Sequence, residues 1–118
     1  MSEKPLRQRL RDALPAAMKA RDRLTLAALR ATLAAIDNAE AVDRPAITDR
    51  NLAIERTPVG VGAAEVERRV LTDAQVEHIV RTEVADRETA ADDYEKVGRS
   101  DRAEQLRGEA AALSAFLV

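Results

Sequence analysis

The run Lys19 to Ala41, KARDRLTLAALRATLAAIDNAEA, restricts the fold more than any other stretch of the chain. Leu26, Leu29, Leu33 and Ile36 recur at spacings that place them on one face of a helix. Asp22 stands just before this stripe, where a short carboxylate can accept from the free amides of a first helical turn. Ala27, Ala28, Ala31, Ala34, Ala35 and Ala39 flank the stripe. Alanine loses no side-chain entropy in a helix and lets a neighbouring helix approach closely. Such a helix needs other helices to cover it. Tyr94 and Phe116 are the only aromatics, so the core must come from Leu, Ile, Val and Ala, which favours packed helices over a sheet sandwich.

The chain has 118 residues, enough for a single domain with a modest core. A first helix is expected from near Ser2, with Pro5 in its first turn and Leu6, Leu10, Leu14 and Met18 on one face. Pro15 should kink or interrupt it near Asp12 to Leu14, because proline removes a backbone bond and crowds the carbonyl of Arg11. The second helix should end before Pro45. An irregular insertion is expected at about 43–70, with a short helix from Ile47 to Glu55 capped by Thr48 and a loop from Arg56 to Gly62. Gly60-Val61-Gly62 lacks the strand and the spacing of a phosphate-binding glycine loop.

A third helix is announced by Thr72 and Gln75, a T-x-x-Q capping box with Asp73 at the positive helix end. Val76, Ile79, Val80, Ala90, Tyr94 and Val97 mark its buried face, and Gly98 is placed to end it in a left-handed conformation. Glu83 and Arg87 interrupt that face at i, i+4 spacing, so they should pair with each other or with Arg30. A contact from Arg30 to Glu83 with Arg87 nearby is expected as a partly buried ionic cluster. A fourth helix should start at a Ser100 cap and run through Ala103, Leu106, Ala110, Leu113 and Leu117. The second and third helices should be the longest and pack antiparallel.

Charge is uneven along the chain. Residues 1–42 carry eight basic and five acidic side chains, and residues 71–118 carry six and eleven. The first part suits a phosphate backbone and the last would be repelled by one; ordinary solvated helix faces would also account for the split. There is no cysteine, hence no disulfide or thiolate metal site. No apolar run approaches the roughly 20 residues that span a bilayer, and MSEKPLRQRL is not a secretion signal. The expected compartment is the cytoplasm, with no membrane association.

Little in the sequence points to catalysis. His78 is the only histidine and lacks partners at ligand spacing, so no metal is expected. It also has no nucleophile elbow near it. Asp92 and Asp93 are adjacent on a helix and point to different faces, which makes them poor acid–base partners. No catalytic residue and no cofactor is assigned. Without aromatics for base stacking, nucleic-acid contact would be limited to phosphates reached by Arg and Lys.

The residues resemble those of the YqeY family, which carries K-x-R-D, then L-R, then A-x-x-N-x-E along its second helix. KARDRLTLAALRATLAAIDNAEA fits that pattern, as do LTDAQVEHIVRTEV, Arg87, Tyr94 and the V-G-R-S-D of Val97 to Asp101. The family is similar to the helical tail of the B subunit (GatB) of the tRNA-dependent amidotransferase. The resemblance implies an all-α, four-helix GatB/YqeY-like domain over residues 1–118 and a link to tRNA. It does not imply catalysis, because the amidotransferase chemistry lies outside the tail. The usual second C-terminal lobe is expected to be missing, and the 43–70 segment is longer than the family connection. Arg30, Asn38, Glu83, Arg87 and Tyr94 match the family pattern, either as a polar clamp between helices or as ligand contacts.

Three functions follow as expectations. One is a non-catalytic accessory module associated with tRNA, with Arg7, Arg11, Lys19, Arg21 and Arg23 on the phosphates. Another is a protein–protein adaptor that makes no RNA contact and holds a protein partner in an alanine-rich or apolar groove. The family label adds a carbon–nitrogen ligase that uses glutamine as amide donor.

Overall fold

A computed structural model describes residues 4–41 and 70–117. These residues form five α-helices and a closing 3-10 turn, with no strand among them. They are α1 (Leu6–Asp12), α2 (Leu14–Lys19), α3 (Arg23–Ala41), α4 (Asp73–Lys96), α5 (Ser100–Ser114) and the turn Ala115–Leu117. The described residues are helical throughout their regular structure, in line with a composition that favours packed helices. The segment expected to be irregular, with its Ile47 to Glu55 helix and Arg56 to Gly62 loop, lies outside the described residues apart from Val70.

Pro15 breaks the first helical run in two. The break falls at Ala13, and Pro15 sits in the first turn of α2, where its missing N–H leaves no bond unmade. The break also resets the helical phase. Leu6 and Leu10 are buried, but beyond Ala13 the four-residue spacing fails: Ala17 is buried and Met18 is 54% exposed. α1 begins at Leu6, one residue past Pro5, which has no side-chain oxygen to cap it. The cap comes from another helix, since Asp73 Oδ1 of α4 accepts from the Leu6 amide at 3.1 Å.

α3 starts as expected. Asp22 Oδ1 accepts from the Thr25 amide at 3.1 Å and Oδ2 from the Thr25 hydroxyl at 2.7 Å. Leu29 and Ile36 are buried, Leu26 and Leu33 half-buried, and Ala28 and Thr32 complete the inner face. The main core gathers Leu6, Leu10, Ala17, Ala28, Leu29, Ile36, Val76, Val80 and Leu113. A smaller cluster of Ala91, Ala103 and Leu106, with Ala90 and Tyr94 against it, fills the far end of the α4–α5 hairpin.

The packing differs from expectation in one respect. α3 and α4 are the longest helices, yet each packs more extensively on α5 than on the other. Gly108 of α5 allows a close approach to α3: a Cβ there would lie 2.9 Å from Leu24 Cδ1. The capping box of α4 is present, with Gln75 N donating to Thr72 Oγ1 at 3.1 Å and Thr72 N to Gln75 Oε1 at 2.8 Å. Gly98 ends α4 at φ 82°. Val97, expected on the buried face, is 71% exposed because the helix has already ended at Lys96. Ser100 is the first residue of α5 and caps nothing; the N-cap is Arg99, without a side-chain bond.

Candidate nucleic-acid interface

The five cations expected to face phosphate divide into two groups. Arg7 on α1 is turned to use inside the fold: its Nη2 lies 2.8 Å from Glu40 Oε2 and 3.9 Å from Asp37 Oδ1, both on α3. Glu40 is buried. It falls four residues after Ile36 and so continues the α3 stripe, a signal the sequence offered. Burial of a carboxylate there calls for a paired cation. Arg9 is also engaged, with Nη2 donating to the Phe116 carbonyl at 3.3 Å. Lys4 Nζ pairs with Asp12 Oδ2 at 2.8 Å. That hydrogen bond, and then one from Gln8, holds the Asp12 carboxyl below the ordinary aspartate value.

Arg11, Lys19, Arg21 and Arg23 are different. All four are exposed, and none makes a side-chain hydrogen bond or ion pair among the described residues. Three of them bracket the α2–α3 turn. The one carboxylate within that turn, Asp22, has both oxygens committed to capping α3 through Thr25. The bond from the Thr25 hydroxyl, followed by that from its amide, keeps the Asp22 carboxyl below its usual value.

The expected polar clamp is only partly assembled. Arg87 Nη1 lies 2.7 Å from Glu83 Oε1, so those two pair with each other. Their third partner is Glu109 of α5, with Arg87 Nε donating to Glu109 Oε1 at 2.8 Å. Arg30 is exposed on α3 and makes no ion pair among the described residues, so the expected contact to Glu83 is not made. It follows Leu29 by one position, about 100° around a helix, and so turns off the buried face. Asn38 is exposed on the same helix. Tyr94 lies two turns beyond Arg87, its ring flanked by Arg99 and Arg102, each 5.9 Å from the centroid. Burial would push the Arg87 guanidinium down, but the bonds to Glu83 and Glu109 outweigh it and hold the group above its ordinary value. This cluster is a structural tie between α4 and α5. Arg107 adds a more exposed tie, to Asp92 at 2.9 Å and Glu95 at 2.8 Å.

A shallow hollow of about 380 Å³ on α4 is lined by Ala90, Asp93, Tyr94 and Val97. It brings one carboxylate, Asp93, and the Tyr94 phenol to a wall of Ala90 and Val97, with no basic group and no second carboxylate in the lining. His78 is exposed, and no group of three potential ligands is gathered for a metal among the described residues. None of the described helices is long and apolar enough to cross a membrane. Comparison with known protein families, with curated proteins and with solved structures finds no match for this chain.

Proposed function

We propose that this chain is a non-catalytic helical accessory module, similar to the YqeY family and the GatB tail, that associates with tRNA through its basic end. The observation that carries the reading is the set of four unpaired, exposed cations: Arg11, Lys19, Arg21 and Arg23. Elsewhere the described chain ties Arg7, Arg81, Arg87 and Arg107 to carboxylates, while Arg30, Lys96, Arg99 and Arg102 make no ion pair among the described residues but stand apart from one another or beside acidic residues. Lys19, Arg21 and Arg23 fall within five residues of one turn, and cations so grouped suit a partner that brings a line of negative charge. Contacts of this kind position a protein on nucleic acid without reading sequence. They need no stacking aromatic, which agrees with the composition.

The test is a tRNA titration at about 50 and 200 mM salt. Four phosphate contacts should weaken binding roughly 50- to 150-fold over that range, from a slope of about 0.7 to 0.9 per contact. A triple variant, Arg11→Gln, Lys19→Gln and Arg23→Gln, should lose most of the affinity, while Arg81→Gln on α4 should keep it. No binding by the wild-type chain at low salt would remove the RNA reading and leave the protein adaptor.

A further inference from the structure

Arg21 occupies a backbone position that usually belongs to glycine. Its φ is 58°, and among the described residues it is the only non-glycine with a positive φ. The turn around it closes α2 with two bonds, Arg21 N to Met18 O at 3.1 Å and Asp22 N to Ala17 O at 2.9 Å. This is the Schellman pattern. The same pattern ends α4, with Gly98 N donating to Glu95 O at 3.0 Å and Arg99 N to Tyr94 O at 2.8 Å. The chain therefore uses glycine in one such turn and arginine in the other.

An L-residue in this conformation crowds its own Cβ against the following carbonyl, so arginine strains the turn where glycine would not. The side chain returns nothing visible to the fold, since it is exposed and makes no hydrogen bond or ion pair among the described residues. Lys19 and Arg23 stand two residues to either side, equally unpaired. Residues held in such conformations cluster at functional sites, and no contact among the described residues accounts for an arginine at this position.

Building on the tRNA reading above, we infer that Arg21 is the anchoring phosphate contact of the basic end, with Lys19 and Arg23 as its flanking charges. The hydrogen-bonded turn fixes the backbone from which the guanidinium projects, so less freedom is lost on binding. The planar fork can hold two phosphate oxygens at once. A phosphodiester chain is favoured over an acidic protein surface by charge density. Isolated exposed carboxylates gain little from such cations, whereas a phosphate backbone releases counterions at every contact.

The test compares tRNA affinity, salt slope and melting temperature for the wild-type chain, Arg21→Gly, Arg21→Asn and Arg21→Lys. Glycine and asparagine both tolerate the turn, so neither should melt below wild type, and Arg21→Gly should melt a few degrees higher. Both should bind tRNA several-fold more weakly, with a salt slope lower by about 0.7 to 0.9. Arg21→Lys should fall between. If Arg21→Gly keeps the wild-type affinity and slope while the Arg11, Lys19 and Arg23 triple variant loses them, the anchoring role is wrong and the tRNA reading survives. Absence of wild-type binding at low salt overturns both. Poly-glutamate binding as tight as tRNA at the same salt would overturn the phosphate assignment in favour of an acidic protein surface.

Discussion

Arg87 of α4 and Glu109 of α5 form an ion pair 2.8 Å long, with side chains only 13% and 10% exposed. Glu83 supplies the second carboxylate, at 2.7 Å from Nη1, so one guanidinium ties the two helices of the hairpin together. Removing the shared cation leaves two screened carboxylates without a partner. Arg87→Met should therefore destabilise the fold by about 3–5 kcal/mol in chemical denaturation. Glu83→Gln should be milder, because Arg87 keeps Glu109 and Glu83 is the more exposed acid. An Arg87→Met variant as stable as an exposed Arg81→Met control would show that the tie contributes nothing.

Thr32 is wholly buried on α3, and its hydroxyl oxygen has no hydrogen-bond partner among the described residues. A buried polar atom left unpaired carries a desolvation penalty that an apolar group of the same shape avoids. Thr32→Val should stabilise the chain by about 1 kcal/mol. Equilibrium unfolding that instead shows a loss of similar size would mean the hydroxyl is held after all.

The two Schellman turns make a paired prediction. Gly98→Ala meets no atom within 4 Å, so its effect should come from the backbone alone, a loss of about 1 kcal/mol at φ 82°. Arg21→Gly should move stability in the opposite direction by a similar amount, about 1 kcal/mol. Thermal melts of the two variants with the same sign would contradict the shared geometry.

Asp22 predicts an acid-sensitive α3. Its carboxyl is held below the ordinary value of 3.8 in the folded chain by the Thr25 bonds. A depressed folded value means that the stabilisation is complete above the unfolded value and is lost as pH falls through the folded one. Melting temperatures of the wild type and Asp22→Asn should therefore be compared from about pH 6 to about pH 2. The wild-type advantage should hold in the upper range and shrink below about 3.8. A gap that stays constant to the acid limit would show that the carboxylate charge is irrelevant to the cap.

Several helix ends were legible, because a cap is a local bond between a side chain and amides a few residues away, although Ser100 caps nothing and the first helix starts at Leu6 and not near Ser2. Asp22, the Thr72–Gln75 box and Gly98 all announce themselves by residue type and spacing. Pro15 likewise marked its own break. What the sequence concealed depends on which helix lies against which. Glu109 shares a face with Leu106, Ala110 and Leu113, a visible anomaly, but its partner Arg87 is 22 residues away on another helix. A contact from Arg30 to Glu83 needs α3 to lie mainly on α4, whereas α5 is the principal neighbour of both. In the basic end, residue type alone could not separate Arg7, which is bound to Glu40, from the unpaired Arg11, Lys19, Arg21 and Arg23. The left-handed turn at Arg21 carried no glycine to announce it.

The most direct test of the basic end as the tRNA-facing surface is an amide-resolved NMR titration of the isotope-labelled chain with tRNA at low salt. Shifts should concentrate at Arg11 and from Lys19 to Thr25, and should reverse as salt is raised. The acidic hairpin of α4 and α5 should stay largely unmoved. Shifts centred on the hollow at Ala90, Asp93, Tyr94 and Val97, or no shifts at all, would contradict the account.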